Sequence, residues 1–170
     1  MEKYLELSDV MLVPDNLNSG WTNSGKLDYF VLDDQEVTGV PKSLPIFTSP
    51  MEAIVGVDNW KVWQDSGIKP ILPRTVELGT RLEACGFIFC AFSLQEVREN
   101  FINIDQRGST QQFHICIDSG NGHDVALMEI GQRLKQLYGK QVILMGGNIA
   151  NPKTYEVYSG AGFDYVRVGI

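Results

Sequence analysis

Val142-Ile143-Leu144-Met145-Gly146-Gly147-Asn148-Ile149-Ala150-Asn151-Pro152 opens the stretch that decides the fold, and Gly160-Ala161-Gly162-Phe163-Asp164-Tyr165-Val166-Arg167-Val168 closes it. The apolar run from Val142 to Met145 reads as a strand buried on both faces, and Gly146-Gly147-Asn148 as the loop that leaves it. Asn151 suits an N-cap, with Pro152 at the first helical position, where a missing N–H costs nothing. Gly160 and Gly162 end that helix ahead of a second run, Asp164 to Val168. Strand, polar loop, returning helix and strand again is the unit of a parallel sheet with crossover helices.

The same rhythm extends back to about residue 44. Further strands are expected at Leu44 to Thr48, Ile68 to Leu72, Gly86 to Phe92 and Phe113 to Asp118, which makes six with the two above. Pro70 and Pro73 each remove a ladder donor from the second of these. Ser93-Leu94-Gln95-Glu96 is a capping-box pattern, followed by Leu94, Val97 and Phe101 on one helical face. Leu127, Ile130, Leu134 and Leu137 form the apolar stripe of another helix, opened near His123 or Asp124 and stopped at Gly139. Residues 1–43 break the rhythm and are expected to form an N-terminal arm packed on the core of residues 44–170, not a domain of their own.

The composition narrows the functional classes. The chain has 170 residues, 44% of them hydrophobic and 21% charged, the profile of a globular domain. A net charge of −7 and a pI near 4.8 disfavour nucleic acid as a main partner. Neither a signal-peptide pattern nor an apolar run near the ~18 residues of a membrane helix is present, so no membrane partner and a cytoplasmic location are expected. Cys85, Cys90 and Cys116 sit in or beside apolar runs without a Cys-x-x-Cys pair, and read as reduced core residues.

Ligands of α/β folds bind beyond the C-terminal ends of the strands. Those positions hold Thr48-Ser49-Pro50-Met51-Glu52, Arg74-Thr75, Ser93, Asp118-Ser119-Gly120-Asn121-Gly122-His123, Gly146-Gly147-Asn148 and Gly169-Ile170. Gly146 and Gly147 let backbone approach a ligand closely, and a carboxylate such as Asp118 can accept from a ribose diol. Arg167 alternates with Tyr165 and Gly169, so it must face a barrel mouth or be paired, because a buried unpaired charge is very costly.

Five blocks in order carry a family resemblance: Asp9-Val10-Met11-Leu12-Val13-Pro14, Pro45-Ile46-Phe47-Thr48-Ser49-Pro50-Met51-Glu52, Cys116 to His123, Val142 to Ile149, and Gly160 to Ile170. In them the chain resembles the IMP dehydrogenase and GMP reductase family. The resemblance implies a (β/α)8 barrel, here with about six of its eight βα units, since a complete barrel takes about 250 residues. It implies an oxidoreductase of guanine nucleotide biosynthesis that oxidises IMP to XMP with NAD or NADP. By the same resemblance Ser49 holds the nucleotide phosphate and Met51 packs on the purine. Asp118, Ser119, Asn148 and Arg167 contact the dinucleotide, with Arg74 and Gly147 as weaker candidates. The Gly169 backbone belongs to a site for a monovalent cation such as K+.

The family's reactive cysteine is expected beyond Ile170, so the chain is expected to be inactive alone, completed by a C-terminal barrel portion and tetrameric when complete. Two other readings stay open. A GMP reductase, running NADPH-dependent reductive deamination of GMP to IMP, fits Asn121-Gly122 and the lack of room for a CBS insert after Arg74. A non-catalytic partial barrel, completed by a second chain, is the other.

Overall fold

The computed structural model describes residues 46–103 and 111–169. The described residues all belong to one compact unit of the chain. The expected N-terminal arm, with Leu44 and Pro45 of the first expected strand, lies outside them.

One parallel sheet runs in the order β1-β2-β3-β4-β5, formed by Ile71–Leu72, Phe89–Phe92, Phe113–Ile117, Val142–Ile149 and Tyr165–Val168. Strand order equals chain order, as crossover helices between parallel neighbours require. The helices are α1 (Trp60–Asp65), α2 (Leu78–Ala84), α3 (Leu94–Val97), α4 (Val125–Tyr138) and α5 (Pro152–Gly160).

Among the described residues five strands stand where the sequence predicts six. The described part of the run ending at Thr48 makes an isolated bridge, Phe47 to Lys69. Its ladder stops because the next donor, the Ile71 N–H, goes to the Thr48 side-chain Oγ1 at 2.9 Å. β1 shrinks from the expected Ile68–Leu72 to two residues between Pro70 and Pro73. β2 begins only at Phe89, because Phe87 and Ile88 both donate to the Ala84 carbonyl in a turn. β4 is longer than expected: Gly146 and Gly147 pair with Val166 and Arg167, so these residues are strand and not loop, with a register shift before Ile149.

The sheet is curled. Laid flat at ~4.8 Å per strand, the distance from the Phe47 segment to β5 would be about 24 Å. Yet the Phe47 and Tyr165 rings meet edge to face with centroids 5.0 Å apart. The five strands therefore form a half-barrel, and strand alternation sorts side chains between its two surfaces. Cys90, Phe92, Ile115, Ile117, Val142 and Leu144 face the helices in the large core, while Ile71, Phe89, Ala91, Cys116 and Met145 form a smaller cluster on the concave side.

The helix ends follow the sequence closely. Asp124 Oδ1 accepts from the Ala126 N–H at 2.9 Å and Asn151 Oδ1 from the Lys153 N–H at 2.8 Å, each satisfying a donor at a helix start. Leu127, Ile130 and Leu134 are buried along α4, which ends at Gly139. Phe163 fills a slot whose walls are Gly131 of α4 and Gly146 of β4: a Cβ at either would come within 2.2 and 2.6 Å of its ring, respectively. The Lys135 ammonium bridges to Asp164 at 2.6 Å, and the same carboxylate oxygen accepts from the Leu144 N–H.

Ser93 forms the expected capping box with Glu96. The Glu96 carboxylate also receives Arg81 Nη2 at 2.6 Å, while Arg81 Nε and Nη1 donate to the carbonyls of Val76 and Ala91. Arg81 is only 2% exposed, so Glu96 is its required counter-ion. Burial pushes the Glu96 carboxyl pKa up, but hydrogen bonds and charge from Arg81 and Ser93 outweigh it and hold it below the usual range. A depressed folded pKa stabilises the fold above the unfolded carboxylate value and is lost as pH falls through the folded one. Glu96→Gln is expected to lower stability at neutral pH by about 2 kcal/mol. In urea melts, the gap to the native chain should narrow as pH falls through the acidic carboxylate range; a gap that stays constant contradicts the pairing.

Candidate functional site

Register decides what reaches the C-terminal mouth of the half-barrel. Tyr165 and Arg167 share the concave side of β5, and Asp118 is the first residue after β3, held there by its N–H on the Phe92 carbonyl at 2.9 Å. Arg167 Nη1 donates to Asp118 Oδ1 at 2.8 Å, and Arg74 Nε lies 3.5 Å from Asp118 Oδ2. Arg167 also approaches the Cys116 sulfur at 3.8 Å. Burial opposes the Arg167 charge, and Cys116 and Asp118 outweigh it, so its pKa lies above the ordinary value.

Two carboxylate oxygens offer about four lone-pair positions. The two arginines occupy part of that capacity, and the Asp118 side chain is 27% exposed, so acceptor positions toward the mouth remain.

Beside this cluster lies a cavity of about 560 Å³ whose lining includes Ser49, Met145, Asn148, Tyr165, Arg167 and Gly169. The volume falls within the roughly 300–1,000 Å³ of small-molecule sites. Met51 stands 53% exposed outside that lining. Ser119 is engaged in its own turn, its Oγ donating to the Asn121 carbonyl and accepting from the Asn121 N–H, each at 3.2 Å. Asn148 lines the cavity with its side chain free of the helix-capping duty, which Asn151 performs; its carbonyl receives the Gly122 N–H at 3.1 Å.

Gly147 differs from its expected use. It has φ +128°, and a Cβ there would lie 2.4 Å from the Arg167 carbonyl oxygen. The space that its missing side chain leaves is filled by β5, which sets the close approach of the strand that carries Arg167. Sequence reasoning also passed over Arg81 and Lys69, since single cations without a motif give no signal to distinguish them from surface charge. His123 bridges two elements, with Nδ1 2.8 Å from Thr154 Oγ1 and Nε2 3.4 Å from the Ala150 N–H. Its place is a tie between the loop after β3 and the start of α5.

All three cysteines are buried. Burial raises the thiol pKa of Cys85 to about 12 and of Cys116 to about 11, and raises that of Cys90 as well. Thiols so protonated are poor nucleophiles. Among the described residues no group of three or more His, Cys, Asp or Glu side chains could hold a metal ion. Gly169, expected to belong to a backbone cation site, lines the same cavity. No helix among the described residues is long and apolar enough to cross a membrane.

No protein-family model matches the chain, and no curated protein matches it. Among solved structures, inosine 5'-monophosphate dehydrogenase from Legionella pneumophila matches with a TM-score of 0.59 at 20% identity, over 75% of this chain and 40% of that one. This chain thus spans less than half the length of that enzyme's chain. The likeness supports an IMP dehydrogenase-like fold for the half-barrel.

The ion cluster makes unequal claims on Asp118. The Arg167 side chain is 21% exposed and its contact short, whereas Arg74 is 49% exposed and its contact long. A double-mutant cycle of Asp118→Asn with Arg167→Gln is expected to give a coupling of about 1–2 kcal/mol in urea unfolding, and one with Arg74→Gln below about 0.5 kcal/mol. Equal couplings would show that the geometry does not rank the two pairs. A thiol reagent should modify none of Cys85, Cys90 and Cys116 in the native state and all of them in denaturant; rapid native labelling counters the assigned burial.

Proposed function

We propose that this chain forms the nucleotide-facing part of an IMP dehydrogenase-like oxidoreductase, with a purine nucleoside monophosphate and a nicotinamide dinucleotide, NAD or NADP, at the C-terminal mouth of the half-barrel. The observation that carries the reading is convergence. Ser49, before β1, and Asn148 and Arg167, on the neighbouring strands β4 and β5, line one cavity with polar side chains, at the edge where α/β sheets bind ligands. The likeness of the fold to that of an IMP dehydrogenase supports the same reading.

In this reading the Ser49 hydroxyl donates to the nucleotide phosphate, and the exposed Met51 side chain packs on the purine. Arg167 supplies positive charge that a chain of net charge −7 otherwise lacks at long range, while Asp118 and Asn148 accept and donate to the dinucleotide's ribose and amide. Ser119 and Arg74 border that wall. The net reaction is IMP, NAD and water to XMP, NADH and a proton, with the hydride leaving the purine C2; the bound dinucleotide supplies the hydride acceptor.

The buried thiols of Cys85, Cys90 and Cys116 are unsuited to attack on C2. By the family resemblance, the nucleophile is assigned to a complementing C-terminal barrel portion, along with a K+ site that includes Gly169, and the complete assembly to a homotetramer.

The first test is nucleotide binding by the full chain, followed by 31P NMR. A saturable IMP shift is expected, weakened about tenfold by Ser49→Ala, the loss of one hydrogen bond to a charged group. GMP binding tighter than IMP would move the reading to the reductase. No saturable shift with either nucleotide, or a Ser49→Ala variant that binds as well as the native chain, would overturn it.

A further inference from the structure

A second cavity, of about 240 Å³, lies at the opposite end of the strands. Its lining includes Lys69, Phe87, Phe89, His114, Ile143 and Tyr165, residues that precede or begin β1 to β5. Phe47, Phe89 and Tyr165 pack edge to face between this cavity and the one at the C-terminal mouth, with centroids 5.0–5.8 Å apart. Because that aromatic layer stands between them, the second cavity is separate from the proposed nucleotide site, and it belongs to this chain on its own, since a complementing barrel portion would pack into the same concave interior.

We infer that this cavity binds a small aromatic carboxylate. Size argues for a single ring, since a cavity of about 150 Å³ takes benzene and the remaining volume takes the acid group. The walls argue for an aromatic one: Phe89 meets both His114 and Tyr165 edge to face, at 5.4 and 5.8 Å, and all three rings line the space. Phe87, 74% exposed at the cavity, is a large apolar side chain that a bound ring would take out of water.

Charge argues for an anion. The Lys69 ammonium sits 5.3 Å from the Phe47 ring centre and 5.6 Å from that of Tyr165, and no carboxylate pairs with it among the described residues. His114 adds a polar edge, with Nδ1 3.1 Å from the Cys85 carbonyl. A carbonyl only accepts, so Nδ1 carries the hydrogen and Nε2 is the ring's other polar atom. Burial, reinforced by the Lys69 charge and opposed by the Cys85 carbonyl, lowers the His114 pKa. A carboxylate on Lys69 supplies the counter-charge that this corner lacks. A lone ammonium beside a narrow apolar space suits one carboxylate better than a phosphate, which favours the several donors of an arginine fork.

The test uses the full chain with 13C-labelled histidine and benzoate as the probe. The sequence holds two histidines, so His123 is an internal control for His114. Benzoate is expected to shift the His114 ring signals saturably and leave those of His123 in place. Neutral benzamide should bind about tenfold more weakly, the worth of a charged hydrogen bond. Lys69→Gln should lose that preference and Lys69→Arg keep it. The inference is overturned if His114 shows no saturable shift at tens of millimolar benzoate, if His123 shifts in parallel, or if benzamide binds the native chain as well as benzoate. The last comparison stands even if Lys69→Gln does not fold.

Discussion

A parallel sheet must be covered on both faces, and the rest of this structure follows from how that is done. The convex side is closed by helices that dock closely because glycines stand where they meet the sheet. Phe163 inserts between Gly131 of α4 and Gly146 of β4, and Tyr158 of α5 packs on the same glycine. Any side chain at either position would lift a helix off the strands. The concave side is closed by curvature instead. Its cluster of Ile71, Phe89, Ala91, Cys116 and Met145 is small, and the rings of Phe47 and Tyr165 complete it only because the sheet bends far enough to bring them together.

That curvature turns a register into a site. A shift of β5 by one residue would send Tyr165 and Arg167 to the helix side and bring Val166 and Val168 inward. In the observed pairing, Gly147 opposite Arg167 lets the two backbones approach closely, and the guanidinium then reaches both Cys116 and Asp118 on β3 and its following loop. The same aromatic layer that closes the concave core divides its interior into an upper cavity with Ser49, Asn148 and Arg167 and a lower one with Lys69 and His114.

Local signals were legible wherever a backbone group needs a partner. Asn151, Asp124 and the Ser93–Glu96 box cap the helices they mark, because an unpaired N–H at a helix start is satisfied by the same few side chains in any fold. Parallel topology was also readable, from apolar runs without alternation. Strand ends were not. Gly146-Gly147 carries the composition of a turn, and only the presence of β5 alongside makes it strand. Thr48 ends a ladder through its side chain, which no pattern announces. Of the site residues, Arg167 was readable because an arginine inside an apolar strand demands a partner. The choice of Asp118 as that partner, and the recruitment of Arg74 from a loop far away in the chain, depend on the curl itself.

The two arginines on Asp118 differ in what releasing them would cost. Arg167 is held in a partly buried position by a short contact, so separating it from Asp118 leaves a desolvated charge without its counter-ion. Arg74 is half exposed and 3.5 Å away, and water replaces that contact at little expense. Under the proposed function, an anion at the mouth would therefore meet one arginine that stays in place and one that can turn toward it. Asp118 in turn loses only its weaker partner and keeps its position. The mouth thus combines a fixed charge set by strand register with an adjustable one set by a loop, and one carboxylate holds both.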